Sequence, residues 1–135
     1  MLSHPDFDKE FILITDASAD GLGAILSQKN ENDKEVVIAY ASRRTNNNER
    51  NYPITDLECL AIIWAVKHFH KFLINTKFRI ITDHAALKSL MKDKEPKGRR
   101  ARWMMELQQY NFEIFHRSGK LNTNADALSR LKFKE

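Results

Sequence analysis

The stretch "FILITDAS", Phe11 to Ser18, runs four apolar residues and a threonine straight into an aspartate. Consecutive apolar positions read as a strand with apolar residues on both faces, which suits a place inside a sheet. A strand built for burial that ends in a charge poses a physical question, because an unpaired carboxylate is expensive to bury unless something cationic meets it. The same ending recurs in "KFRIITDHA", Lys77 to Ala85. Two strands that both stop at Ile-Thr-Asp are expected to carry two carboxylates, Asp16 and Asp83, to one place, and a metal ion is one partner that would meet them.

Working outward, "GLGAILSQ" follows the small-residue turn "ASADG" as the hairpin partner of the first strand. After the polar turn "KNENDK", "EVVIAYASR" gives a third strand and completes an antiparallel meander. The loop "RTNNNERNYP" leads to a long helix over Thr55–Ile74, apolar almost all round and so expected to be largely buried. "KFRIITD" is the fourth strand, "HAALKSLM" a short helix and "DKEPKG" a break set by its proline and glycine. "RRARWMMELQQY" is a further helix, "NFEIFHR" alternates as a fifth strand, "SGKLNTN" is a loop and "ADALSRL" a short final helix. The order implies an α/β fold: a mixed five-stranded sheet, three antiparallel strands and then two reached by helical connections, flanked by helices. Strand four follows a helical crossover and is expected to lie parallel to strand one, with Asp16 and Asp83 as neighbours.

The 135 residues fit one domain, 1–135, that buries roughly two-thirds of the surface its unfolded chain exposes. No apolar run approaches the roughly 20 residues needed to cross a bilayer, and the first ten residues show no signal or transit peptide. The single cysteine, Cys59, excludes an internal disulfide, and the five histidines make no zinc-like Cys/His pattern. These features suit a reducing compartment. Met1–Leu87 holds 10 basic and 12 acidic residues, whereas Lys88–Glu135 holds 12 and 6. The basic second part fits a polyanion-facing surface or simply a solvated face.

Two more carboxylates join the first pair as candidates. Glu58 lies in the first turn of the long helix, on the side of Ala61 and Ala65, whose small side chains let that helix lie close to the sheet. Its plain alternative is a capping box over Thr55, Asp56, Leu57 and Glu58. Asp126, at the start of the last helix, has the alternative of a dipole-favoured acidic residue. Four carboxylates without histidine or cysteine point to magnesium or manganese, and a pair of such ions serves in-line attack on phosphodiesters.

The stretches "TDASADGLGAILSQ", "IAYASRRTNNNERNYPITDLECLAIIWAVKHFHKFL", "FRIITDHAALKSL", "RRARWMMELQQYNFEI" and "RSGKLNTNADALSR" span nearly the whole chain. In order and spacing they resemble the ribonuclease H domain of the reverse transcriptase of gypsy-type long-terminal-repeat retrotransposons. The resemblance implies an RNase H-like fold, excised from a larger pol polyprotein, with Asp16, Glu58, Asp83 and Asp126 as the catalytic, metal-binding set. It implies a nuclease that cuts the RNA strand of RNA/DNA hybrids with two Mg2+ ions, Mn2+ substituting, beside a polymerase domain in the same polyprotein. Its expected location is the cytoplasm, within virus-like particles, with the nucleus as an alternative; no membrane is involved. The competing function is a catalytically silent RNase H-like module that only spaces or tethers a polymerase, and an intact carboxylate set argues against it because like charges repel.

Discrimination of RNA requires contacts to 2′-hydroxyls in the shallow minor groove. Thr55, His84 and Asn122 are the candidates, against the alternatives of a helix cap, a helix-start histidine and a turn asparagine. Lys97, Arg99, Arg100 and Arg102 open a helix, where cations oppose the dipole, so contact with phosphate explains them better than a solvated helix start. Cellular ribonucleases H carry a histidine in the loop before the last aspartate. Here Ser118–Asn124 has none, and His116 just upstream is an auxiliary candidate whose reach depends on which face of its strand it occupies.

Overall fold

The computed structural model describes residues 2–82 and 97–116. Its strands are β1 (Phe11–Ala17), β2 (Gly21–Lys29), β3 (Glu35–Arg44), β4 (Lys77–Thr82) and β5 (Asn111–His116), and its helices are α1 (Ile54–His68), α2 (His70–Leu73) and α3 (Arg99–Leu107). The strands form one mixed sheet in the order β3-β2-β1-β4-β5. β1 is antiparallel to β2 and parallel to β4, and β4 is parallel to β5. The α/β class and the five-stranded mixed sheet expected from the sequence are therefore observed. The short helices expected at 84–91 and 125–131 lie outside the described residues.

The reading of "FILIT" follows from the central position of β1, all seven of whose residues are buried. Phe11, Leu13 and Ala17 join the main core with α1, whereas Ile12 and Ile14 pack with Ile25 and Ile81 in a second cluster. Alternating residues of a strand face opposite sides, so these clusters mark the two faces of the sheet. β3 stands at an edge, and its pairing with β2 shifts register between Leu26 and Ser27, leaving Ile38 as the extra residue.

α1 lies on the first face. Ala61 and Ala65 are fully buried there, which permits close approach, and Leu57, Ile62, Ile63 and Val66 fill the space around them. Two expectations for this helix are corrected. It does not run unbroken to Ile74: Phe69 leaves the helical region (φ −101°, ψ 24°) and α2 resumes at His70. The break turns Leu73 into the core and sets Phe72 edge-on to Phe11 and Phe69, so aromatic packing outweighs helix continuity. Nor does α1 start with Thr55 as its cap. Pro53 is the N-cap, without a side-chain cap bond, and the helix starts at Ile54, so Thr55 is already helical.

α3 packs against α1 through Trp103 and Leu107, as the spacing of its apolar residues predicts, and ends at Leu107 rather than Tyr110. Gly98 precedes it with φ 62°, a conformation that favours glycine at this turn. Among the described residues no helix is long and apolar enough to cross a membrane.

Candidate active site at the carboxyl ends of the parallel strands

β1, β4 and β5 run in the same direction, so their carboxyl-terminal residues gather at one end of the sheet. The register sets Ile14 beside Ile81 and Thr82 beside His116. Asp16 follows at the end of β1, 4% exposed and opposite Gly23 of β2. Alternation puts it in phase with Ile12 and Ile14, on the face of the second cluster. Thr15, Thr82 and His116 are in phase with the main core, on the face that α1 covers.

Glu58 arrives on that face with the second turn of α1. It is 3% exposed, and Thr82 donates its hydroxyl hydrogen to Glu58 Oε2 over 3.5 Å. The two carboxylates thus come to the same end of the sheet, one on the central strand and one on the helix above it. With the helix starting at Ile54, Glu58 stands in its second turn rather than the first. Asp83 and Asp126, the other members of the expected set, and His84 and Asn122 lie outside the described residues. Among the described residues no group of three or more potential metal ligands forms. The donors present, buried carboxylate oxygens without histidine or cysteine, suit a hard cation of the magnesium type.

The remaining candidates divide by what they touch. Thr55 is half-buried in the first turn of α1, and His116 is exposed at the end of β5. Lys97 and Arg102 are exposed. Arg99 and Arg100 instead meet a carboxylate that the sequence reading did not single out: Arg99 Nη2 donates to Asp56 Oδ2 at 2.5 Å and Arg100 Nε to Asp56 Oδ1 at 2.7 Å. Asp56 is buried, and the Arg99 guanidinium lies 3.8 Å from the Tyr52 ring centroid. The signal in the sequence was a second acidic residue at the start of a largely apolar helix, although its partners lie more than forty positions away. Next to it, burial pushes the Cys59 thiol up to about 12, Asp56 adding to the shift and Arg100 opposing it.

The loop that leads into α1 is braced independently. Arg43 grips Glu49 with both guanidinium ends at 2.9 and 2.8 Å, Glu49 accepts from the Asn46 backbone N–H, and Asn46 Oδ1 accepts from the Glu49 N–H. Arg43 holds the Glu49 carboxyl below the usual carboxylate range.

The family described as "RNase H-like domain found in reverse transcriptase" matches residues 6–110. A retrovirus-related Pol polyprotein from transposon 297 of Drosophila melanogaster is 44% identical over 135 residues, covering 100% of this chain and 12% of its own length. The transposon Tf2-3 polyprotein of Schizosaccharomyces pombe is 44% identical, over 97% of this chain and 10% of its own length. The chain therefore spans about a tenth of these curated relatives. Among solved structures, LC11-RNase H1 in complex with an RNA/DNA hybrid superposes with a TM-score of 0.69 at 15% identity, covering 93% of this chain and 97% of its own. The foamy viral protease-reverse transcriptase in complex with dsDNA gives 0.70 at 16% identity, covering 87% and 25%.

Proposed function

This chain belongs to the family of RNase H-like domains found in reverse transcriptases, and from that premise we propose that it cuts the RNA strand of RNA/DNA hybrids during reverse transcription by a gypsy-type retrotransposon. The observation that carries the reading is the burial of two carboxylates, Asp16 and Glu58, at the carboxyl end of the central strands. Buried carboxylates are costly to a fold, and two at one end of a sheet suit a cation that meets them. Asp83, the next residue after Thr82, and Asp126 complete the proposed ligand set.

Two magnesium ions, with manganese as substitute, would supply activation of the attacking water and stabilisation of the leaving 3′-oxygen, giving 5′-phosphate and 3′-hydroxyl products. The chain's own part is positional. Asp16 and Glu58 present oxygen ligands from a central strand and from a helix packed on it, rigid elements that hold them without loop motion. Thr82 orients the Glu58 carboxylate through its hydroxyl. Lys97 and Arg102, exposed at the start of α3, are available to phosphates, and Thr55, His84 and Asn122 are the proposed contacts to the minor groove. His116, beside Thr82 in the register, is the proposed auxiliary group. The polymerase domain of the same polyprotein is the proposed neighbour, and the proposed setting is a cytoplasmic virus-like particle.

The test is incubation of the chain with an end-labelled RNA/DNA hybrid and magnesium, beside duplex RNA and duplex DNA. Cutting confined to the RNA of the hybrid and abolished by chelator is the expected result. No cutting of any substrate, with a folded protein that binds hybrid, would leave the silent spacer module as the better account.

A further inference from the structure

The first turns of α1 face two ways. Glu58 points to the sheet and the candidate site, where Thr82 meets it. Asp56, two residues earlier, stands about 200° away around a helix of 3.6 residues per turn. It faces α3, where both its oxygens accept charge-assisted bonds from Arg99 and Arg100. The Arg99 guanidinium is also stacked at 3.8 Å on Tyr52, the residue before the N-cap of α1, and lies 6.0 Å from the ring of Trp103 one turn further along α3. Tyr52 and Trp103 are themselves 6.3 Å apart. Residues 52 and 56 on one side and 99, 100 and 103 on the other therefore form a closed joint between the two helix starts.

The joint is more demanding than surface packing requires. Asp56 is 3% exposed, and a carboxylate so buried is costly without its partners. Arg99 Nε is buried with no hydrogen-bond partner among the described residues, so this guanidinium has given up water on one side to stay stacked. Such a cost suits a part whose placement matters. Pro53, the N-cap of α1, makes no side-chain cap bond, and the joint constrains that start from outside the helix.

We propose that Asp56 is a positioning residue for Glu58: by tying the start of α1 to the start of α3, it fixes the rotation and depth at which Glu58 meets the metal site. The proposal rests on the metal-dependent reading given above. It also explains why Arg99 and Arg100 stand in a basic run without being fully available to phosphate, while Lys97 and Arg102 remain exposed.

The experiment is calorimetric titration of the whole chain with manganese(II), together with thermal melts, for the parent, Asp56→Asn, Arg99→Lys and a remote destabilised control, Phe112→Leu on β5. Asp56→Asn should bind manganese about tenfold more weakly, the low end of the loss seen when outer partners of metal ligands are removed. Arg99→Lys keeps the charge but loses the planar fork and the stacking, and should show a smaller loss in the same direction. Phe112→Leu should melt lower and bind as the parent does. Parental affinity in Asp56→Asn, or an equal loss in Phe112→Leu, overturns the proposal, since either shows that the joint serves stability alone. Should Asp56→Asn fail to fold, Arg99→Lys decides on the same titration. A parent that binds no manganese overturns the metal reading itself, and the positioning role with it, a result distinct from equal binding by parent and variant.

Discussion

Thr82, the last residue of β4, donates its hydroxyl to Glu58 of α1 across 3.5 Å, a buried contact that joins the sheet to the helix at the candidate site. Valine has nearly the same shape but no hydroxyl. Thr82→Val should lower stability to urea by about 1 kcal/mol, the bond being long for one to a charged acceptor. It should also slow hybrid cleavage about tenfold, because the carboxylate loses an orienting partner. Parental unfolding and cleavage would show that the contact carries nothing.

Asp16→Asn separates chemistry from folding. If Asp16 shares a site with other carboxylates, the metal-free protein carries their repulsion, and the variant should melt higher in chelator while losing cleavage. Added magnesium should stabilise the parent more than the variant, since it binds only the folded site. A variant that melts lower and still cuts RNA would make Asp16 a structural residue.

Salt dependence tests the start of α3. If Lys97 and Arg102 meet phosphates, hybrid affinity should fall as salt rises, and each alanine variant should flatten the log-log slope by about 0.9 if a duplex DNA scale applies. Arg99→Ala should in addition lower the melting temperature, because it opens the Asp56 joint. Slopes unchanged in Lys97→Ala and Arg102→Ala would return these cations to the solvated surface.

The Arg43–Glu49 brace has a defined pH window. The hydrogen bond from Arg43 lowers the folded-state pKa of Glu49, so its contribution is complete above the usual carboxylate range and is lost as pH falls through the lower, folded value. Glu49→Gln should therefore cost about 1–2 kcal/mol near neutral pH, as charge-assisted bonds to a buried partner do, and almost nothing relative to the parent in strong acid. Denaturant melts at the two pH values check it; a gap that persists in acid would count against the brace.

Cys59 should be inert in the native protein. Its thiol is buried and raised to about 12, so at pH 8 almost no thiolate exists to attack an alkylating agent. Iodoacetamide should modify it only above the unfolding transition, as read by mass spectrometry. Rapid labelling under native conditions would mean that the start of α1 opens readily.

What was legible in the sequence was local in origin. The burial of a central strand on both faces is written in consecutive residues, so "FILIT" and "RIIT" announce β1 and β4, and a helix crossover between them leaves a parallel pairing as the direct solution. The placing of Asp16 at the end of one apolar run and of Glu58 at the start of another was visible for the same reason, each lying beside the run that carries it. Where an element begins or breaks was not. At the start of α1 stands Tyr52 and around its interruption at Phe69 stand Phe11 and Phe72, whose contacts join separate parts of the chain. The role of Asp56 is the clearest case. In the sequence it is one acidic residue inside a capping motif; only the packing of α3 on α1 brings Arg99 and Arg100 to it across 43 and 44 positions. No local preference encodes that pairing, because a buried charge is tolerated only after the tertiary fold has delivered its partner.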